Sequence, residues 1–237
     1  MRVTACFVLI GLVIGGGPAA SAQAPAGKGW VDTFAVDKKD FVSAGSNDYF
    51  RLEPGYFLVL EKGNVRLIIT VLDETKIVDG VETRVVEERE SKGGKLLEVS
   101  RNYFAFNTAD RGVYYFGEAV DIYKDGKIVG HEGEWESGRN EARFGLMVPG
   151  KPEVGAKFYQ EIAPGVAKDR AEVVALDATI ETPAGEFRGC LKFVETTPLE
   201  PLARESKKGD PAPLRWGNTI SPSAPTGARA ASAPSVS

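Results

Sequence analysis

The densest cluster of side chains able to bind a metal lies in residues 131–136 (HEGEWE). In an extended strand, Glu132, Glu134 and Glu136 share one face, and His131 points to the other. Three carboxylates on one face could hold a hard cation such as calcium. The segment lacks the Asp/Gly pattern and the backbone carbonyls of a calcium loop, however. A solvated acidic strand face with a surface histidine is therefore the favoured interpretation.

The pair Glu87-Glu88, with Asp73-Glu74 upstream, is a candidate for acid–base catalysis. Nothing in the sequence fixes their spacing, and carboxylates at this density are ordinary on the surface of a sheet. His131 is the only histidine, so any triad would have to use it. The chain has no nucleophile elbow, zinc-binding helix or phosphate-binding glycine loop. We therefore expect no catalytic residue and no cofactor.

Aromatic residues form the remaining candidate site. Tyr103, Phe104 and Phe106 lie in one stretch, and Tyr115 and Phe116 lie in the next. On the concave face of a curved sheet, such rings could bind a lipid or another apolar small molecule. The same rings are also what fills the core of a one-domain β protein, and this second interpretation is the favoured one.

Short apolar runs broken by turn residues extend from residue 30 to 197, as expected of antiparallel β structure. Asp79-Gly80 and Asp125-Gly126 are typical of type I′ hairpin turns, because Asp and Gly tolerate positive φ. Gly93-Gly94 and the connection 62–64 (KGN) separate two further pairs of strands. These turns predict a meander of antiparallel hairpins.

The alternation of side chains assigns faces to the predicted strands. Tyr103 is expected to face away from Phe104 and Phe106. Residues 86–88 (VEE) interrupt the alternation of their strand, which predicts a bulge. A further strand is predicted over 171–180.

Helical signal is weak. A turn or two of helix is expected only at 36–42 and 195–206, and prolines keep the second of these short. The chain is therefore predicted to be all-β with minor α content. The predicted domain, residues 47–206, is a curved antiparallel sheet or half-barrel with one or two short helices, and the alternative is a two-sheet β-sandwich.

The N-terminus has the three parts of a secretory signal peptide. Arg2 supplies a positive charge, residues 5–17 are uncharged and mostly apolar, and 20–22 (ASA) are small, as at a cleavage site. Cleavage near Ala22 predicts export to the periplasm or the extracellular space. No run is as long as the about 20 residues that cross a bilayer, so no transmembrane anchor is expected in the mature form. Residues 23–46 are expected to be a partly ordered segment.

Composition narrows the possible partners. The 29 basic and 33 acidic residues are interleaved along the chain, so nucleic acid is not an expected partner. Cys190 is the only cysteine beyond the leader, and a buried small hydrophobe is favoured over a reactive thiol or an intermolecular bridge. Residues 207–237 are rich in Ser, Ala and Pro and are predicted to be disordered.

The order of short motifs over residues 47–201 resembles the TapB-like family, a group of exported bacterial proteins of unknown function. The matching segments include Tyr49-Phe50, Pro54-Gly55, Asp79-Gly80-Val81, Tyr115-Phe116-Gly117-Glu118, Asp125-Gly126-Lys127, Glu132-Gly133, Trp135-Glu136, Val148-Pro149, Cys190-Leu191-Lys192 and Pro198-Leu199-Glu200-Pro201. The family is in turn similar to LolA/LolB-like lipoprotein carriers, in which a strongly curved antiparallel sheet wraps a helical plug. The resemblance implies a fold and export, and it carries no catalytic residue.

After residue 201 the chain departs from this family, whose members continue with closing strands. We therefore expect a sheet that lacks its last strands and has an unpaired edge. Taken together, the residues predict an exported, non-enzymatic binding protein for an apolar or lipid-like ligand. The alternative is a structural or protein-interaction module that acts through the sheet surface or edge.

Overall fold

The computed structural model describes residues 29–199 and 218–220. A 3-10 turn at Lys38–Asp40 precedes sixteen strands. The strands are β1 (Phe41–Val42), β2 (Gly45–Ser46), β3 (Arg51–Leu52), β4 (Phe57–Lys62), β5 (Val65–Val78), β6 (Val81–Lys92), β7 (Lys95–Asn107), β8 (Val113–Lys124), β9 (Lys127–Gly130), β10 (Trp135–Glu136), β11 (Arg143–Val148), β12 (Lys157–Tyr159), β13 (Glu161–Ile162), β14 (Arg170–Thr182), β15 (Gly185–Thr196) and β16 (Asn218–Ile220). The all-β prediction is confirmed. The leader predicted over 1–22 lies outside the described residues.

The strands form one large sheet and two smaller ones. The large sheet has ten strands in the order β13-β11-β8-β7-β6-β5-β4, and β1, β9 and β10 attach to β7 or β8. The second sheet has the order β12-β14-β15-β16, and β2 pairs with β3. The arrangement is a curled antiparallel half-barrel, so the prediction of a curved antiparallel sheet is also confirmed.

Local turn chemistry produces the long hairpins. Asp79 and Gly80 have φ of 50° and 77°, and Asp125 and Gly126 have φ of 50° and 76°, as type I′ turns require. The four consecutive strands β5 to β8 are 12 to 14 residues long. Strands in globular proteins usually have about 5–6 residues. Each long strand can therefore carry a core at one end of a face and a different surface at the other.

Alternate residues of the long strands face two separate cores. Val86 and Phe104 belong to the inner core, which they share with Phe193 of the second sheet. On the opposite face, Tyr103 packs in the outer core with Phe41. The predicted opposite orientations of Tyr103 and Phe104 are therefore confirmed. We refer to the two sides of β5–β8 as the inner face and the outer face.

The local predictions differ from the structure at three places. Strand β6 has no bulge at 86–88, because Val86 and Glu88 pair in regular register with β7. Residues 195 and 196 continue β15, where pairing with β14 satisfies their backbone, and 200–206 lie outside the described residues. Within the tail predicted to be disordered, Asn218–Ile220 pair with the outer edge of β15. The other residues of that tail are outside the described part of the chain.

Candidate functional site

Beyond the inner core, the inner face of three long strands becomes polar. Glu88 on β6 lies opposite Ser100 on β7, and Asn102 on β7 lies opposite Glu118 on β8. Glu98 continues the row along β7. Because the strands are paired in register, these five side chains form one patch on the inner face.

A bulge in β8 brings Tyr115 and Glu118 to the same face. Phe104 pairs with Tyr115, and Asn102 pairs with Glu118, so two steps along β7 correspond to three steps along β8. One extra residue is accommodated between the two pairs, as in a β-bulge. Without it, the regular alternation would turn Glu118 to the outer face.

Gly117 is the residue that allows β10 to approach this bulge. Its φ is 137°, and a Cβ atom there would overlap the backbone of Trp135. The close approach lets Trp135 pair directly opposite Glu118. A strand of only two residues is thereby held against the polar end of β8.

Four carboxylic acids from four different strands are buried around this patch, and we name them the inner carboxyl cluster. Its members are Glu88, Glu98, Glu118 and Glu161, each no more than 7% exposed. The ion pairs formed within the described residues use other carboxylates, among them Glu87 and Glu136. The cluster is therefore a group of buried acids with no basic partner in the described part of the chain.

Loss of hydration raises the pKa of every acid in the cluster, and the neighbouring acids raise it further. The pKa of Glu88 rises to about 8 and that of Glu98 to about 7. Burial raises the pKa of Glu118 and of Glu161 well above the usual range, and Asp169 adds to both shifts. Burial thus favours the uncharged form of these acids, and a protonated carboxyl group can donate one hydrogen bond.

Some polar atoms of the patch are hydrogen-bonded, and others have no hydrogen-bond partner within the described residues. Tyr115 Oη donates to Asn102 Oδ1 at 2.7 Å, and Asn102 Nδ2 donates to a backbone carbonyl of β6 at 3.3 Å. Tyr115 and Glu118 share a further hydrogen bond. By contrast, Glu88 Oε1 and Glu98 Oε2 are buried and have no hydrogen-bond partner within the described residues. A buried carboxyl oxygen without a hydrogen bond lowers the stability of the fold.

A cleft of about 280 Å³ lies beside β8 and β10 and reaches Glu118. Its exposed lining is about equally polar and apolar, and the small or apolar residues in it are Ala119, Trp135, Ala142, Ala163, Pro164 and Val166. Glu134 and Glu136 add carboxylates, and Arg139 adds a cation. Sites for drug-sized ligands span roughly 300–1,000 Å³. The cleft therefore suits a small molecule or one end of a longer one.

Trp135 connects the cleft wall with the polar patch. It is 6% exposed, and its ring stands edge-on to Tyr115 with 5.2 Å between the ring centroids. The indole Nε1 is buried and donates to no acceptor among residues 29–199. A buried indole N–H usually has a partner, so Trp135 carries an unsatisfied donor that solvent does not reach.

The three acids considered as a possible but disfavoured cation site do not lie on one strand. The chain turns at Gly133, which has φ of 99°, so Glu132, Glu134 and Glu136 do not share a strand face, and that expectation is wrong. Glu136 instead lies 2.5 Å from the Nζ atom of Lys76. In the described part of the chain, no three His, Cys, Asp or Glu side chains are grouped to hold a metal.

The five aromatic candidates divide between the two cores. Phe104, Phe106 and Tyr115 belong to the inner core, and Tyr103 and Phe116 belong to the outer core. None of them is more than 6% exposed. Phe104 and Tyr115 stack with 4.8 Å between the ring centroids. The rings thus fill the cores and do not share one open face, although Tyr115 lies next to the cleft.

Cys190 is buried and unpaired in a disulfide, and its Sγ lies 3.5 Å from the carbonyl oxygen of Phe187. Burial raises the pKa of its thiol. A raised pKa lowers the fraction of the reactive thiolate. These features fit the small buried hydrophobe favoured by the sequence, and the residue lies outside the cleft.

Sequence reasoning did not identify the inner carboxyl cluster. It considers Glu88 only as an acid–base partner of Glu87. The usable signal is the broken alternation of residues 86–88, which marks a carboxyl group on a buried face and no bulge. Glu98, Glu118 and Glu161 have no comparable signal, because their neighbours in space are distant in sequence.

Comparison of the chain with protein-family models, with curated proteins and with solved structures finds no match. Within the described residues, no helix is both long and apolar enough to cross a membrane. Function must therefore be inferred from the geometry of the cleft and of the inner carboxyl cluster.

Proposed function

We propose that the protein is exported and binds an apolar or lipid-like small molecule without transforming it. The proposed site is the cleft beside β8 and β10. One observation carries this proposal: a cleft whose lining is partly apolar also includes Glu118, a buried acid with no ion pair among the described residues. A ligand with an apolar body and a polar end matches both parts of the site.

Export is the second part of the proposal. The charged, apolar and small-residue regions of 1–22 support it, as does the resemblance of residues 47–201 to the exported TapB-like family. Expression of the full chain in a bacterium, followed by fractionation and intact mass measurement, tests it. A cytoplasmic product that retains residues 1–22 would contradict export.

The binding test uses two valines of similar exposure. Val166 lines the cleft and is 46% exposed, whereas Val154 is 57% exposed and lies outside it. Calorimetry with 1-hexanol, hexylamine and hexanoate as probes should detect binding of at least one. Val166→Trp fills the cleft and should weaken that binding by about tenfold or more, whereas Val154→Trp should bind as the wild type does. Failure of all three probes to bind the wild type, or equal binding by Val166→Trp, would contradict the proposal.

A protein-interaction module is the second candidate, and the edge of the large sheet supports it. Strand β4 pairs only with β5 among the described strands. Phe57, Leu58 and Val59 on β4 are 38% to 42% exposed. An apolar open edge can add a strand from another chain. Native mass spectrometry separates the two functions: a retained small ligand supports the cleft, whereas a ligand-free oligomer that Val59→Lys dissociates supports the edge.

A further inference from the structure

Three hairpin turns meet at one end of the large sheet. They connect β4 with β5, β6 with β7, and β8 with β9. The backbone N–H of Gly93 in the second turn donates to the carbonyl oxygen of Asn64 in the first, at 2.7 Å. Lys95 Nζ, beside the second turn, lies 3.8 Å from Asp125 Oδ1 in the third. The three turns therefore form one continuous rim.

This rim is basic, although the chain as a whole is slightly acidic. Residues 61–66, 91–96 and 123–128 contain six basic residues and two acidic ones, whereas the whole chain has 29 basic and 33 acidic. We name the six the basic rim, and all of them are exposed: Lys62, Arg66, Lys92, Lys95, Lys124 and Lys127. Ion pairs as exposed as that between Lys95 and Asp125 are weak, so the rim keeps a positive potential.

The strand register places lysines of the rim directly opposite each other. Lys92 pairs with Lys95 across one turn, and Lys124 pairs with Lys127 across another. Like charges in such positions repel each other, and a layer of negative charge against the rim relieves both repulsions at once. The rim extends across six adjacent strands, which is about 25 Å. A small anion can reach only part of it, so the arrangement favours an extended anionic surface.

Exposed aliphatic side chains lie beside the lysines. Ile128 and Val129 follow Lys127 on β9 and are 48% and 59% exposed, and Leu97 on β7 is 36% exposed. All three lie within about 10 Å of a turn of the rim, and protein segments on a bilayer surface reach about 5–10 Å into it. Single-stranded nucleic acid is instead bound by stacking on aromatic rings, and Tyr123 is the one aromatic residue in the three rim segments. The combination fits lipid better than nucleic acid.

We propose that the basic rim docks the protein on the surface of an anionic lipid bilayer. The lysines lie at the level of the lipid phosphates, and Ile128 and Val129 contact the outer part of the acyl chains. The rim shares no lining residue with the cleft. The docking inference therefore goes beyond the proposed binding function and does not depend on it.

Sedimentation of the full chain with lipid vesicles tests the inference. Vesicles of phosphatidylcholine are compared with vesicles that also contain about 30% phosphatidylglycerol, which is anionic. The apolar residues 5–17 are present in every sample, so the measured quantity is the ratio of the two partition coefficients. Each basic residue near an anionic surface strengthens binding about fivefold. We therefore expect a ratio of about a hundred at low salt, and a fall towards one at about 1 M salt because of screening.

Paired variants assign this preference to the rim. Lys92→Gln/Lys95→Gln should lower the ratio by about twenty-five-fold. Lys39→Gln/Lys151→Gln removes two exposed lysines elsewhere and should change the ratio by less than about twofold. Equal losses in the two double variants, or a wild type with no excess binding to the anionic vesicles, would show that the inference is wrong.

A second pair of variants tests the apolar contact. Val129→Ser should weaken binding to the anionic vesicles by about tenfold. Val154→Ser changes a valine of 57% exposure outside the rim and should bind as the wild type does. Unchanged binding by Val129→Ser would overturn the contact with acyl chains. Tight binding of a single-stranded oligonucleotide, without binding to the anionic vesicles, would overturn the lipid assignment and assign the rim to nucleic acid.

Discussion

The unusual residues of this protein are buried acids whose surroundings disfavour the charged form. Glu88 and Glu98 lie on the inner face of adjacent strands, and each has one buried carboxyl oxygen with no hydrogen-bond partner in the part of the chain that the structure describes. Full ionisation of both groups would place two unpaired charges in an apolar interior, which is strongly unfavourable. Protonation avoids that charge, and it links the stability of the fold to pH.

The first prediction concerns this linkage at Glu88. Its pKa is about 8 in the folded chain, against the usual 4.5 expected after unfolding. The unfolded state therefore releases the proton first, and stability falls as the pH rises from 4.5 to about 8. Each pH unit in this window lowers the free energy of unfolding by up to about 1.4 kcal/mol for one such group. Glu88→Gln does not titrate, so the stability of this variant should fall by a few kcal/mol less over that range.

Urea unfolding at about pH 5 and about pH 8 measures the effect. Glu82→Gln removes an exposed acid on the same strand and should leave the pH dependence unchanged. If the Glu88→Gln variant shows the same loss of stability between the two pH values as the wild type, Glu88 is charged in the folded protein and the predicted linkage is absent.

At the scale of an element, the bulge of β8 is what assembles the site. Its extra residue turns Glu118 to the inner face, and Gly117 admits β10 beside it. Gly117→Ala adds a methyl group that overlaps the backbone of Trp135. We therefore expect a loss of about 2–4 kcal/mol of stability and at least a partial loss of probe binding in the cleft.

Gly94→Ala is the matched control for this change. Gly94 also has a positive φ, of 76°, but a methyl group there meets no atom within 4 Å. That variant should lose only the about 1–2 kcal/mol of backbone strain and should keep the wild-type affinity for the cleft probes. Equal losses in the two variants would mean that strain, and not the approach of β10, explains the role of Gly117.

Elements and sites differ in how far they could be predicted from the sequence. The hairpins at Asp79-Gly80 and Asp125-Gly126 were predictable, because two adjacent residues determine the turn geometry. The inner carboxyl cluster was not predictable from the sequence, because its members come together only through the register of strands that are distant in sequence, β6, β7, β8 and β13. The bulge at Gly117 shifts that register by one residue, and a one-residue shift exchanges the two faces of a strand. The glycine is visible in the sequence, but its effect on Glu118 is not.

At the scale of the whole molecule, two sheets are joined by one core. Phe158 and Phe193 of the second sheet pack in the same inner core as Phe104 of the large sheet. The second sheet also contains β14, which follows the Ala163–Ala167 turn that contributes to the cleft wall. Both the stability of the half-barrel and the shape of the cleft therefore depend on contacts between the sheets.

The last prediction is that the two sheets unfold as one cooperative unit. Phe193 is 2% exposed and meets Phe158 edge-on, with 5.8 Å between the ring centroids. Phe193→Ala should cost about 3–5 kcal/mol. Val194→Ala, next along β15 but 48% exposed, should change stability by about 0.5 kcal/mol or less. Hydrogen exchange of peptides from β7 and β14 provides the measurement. Because one core joins the sheets, Phe193→Ala should lower the protection of both strands by the same free energy, and a loss confined to β14 and β15 would show that they unfold separately.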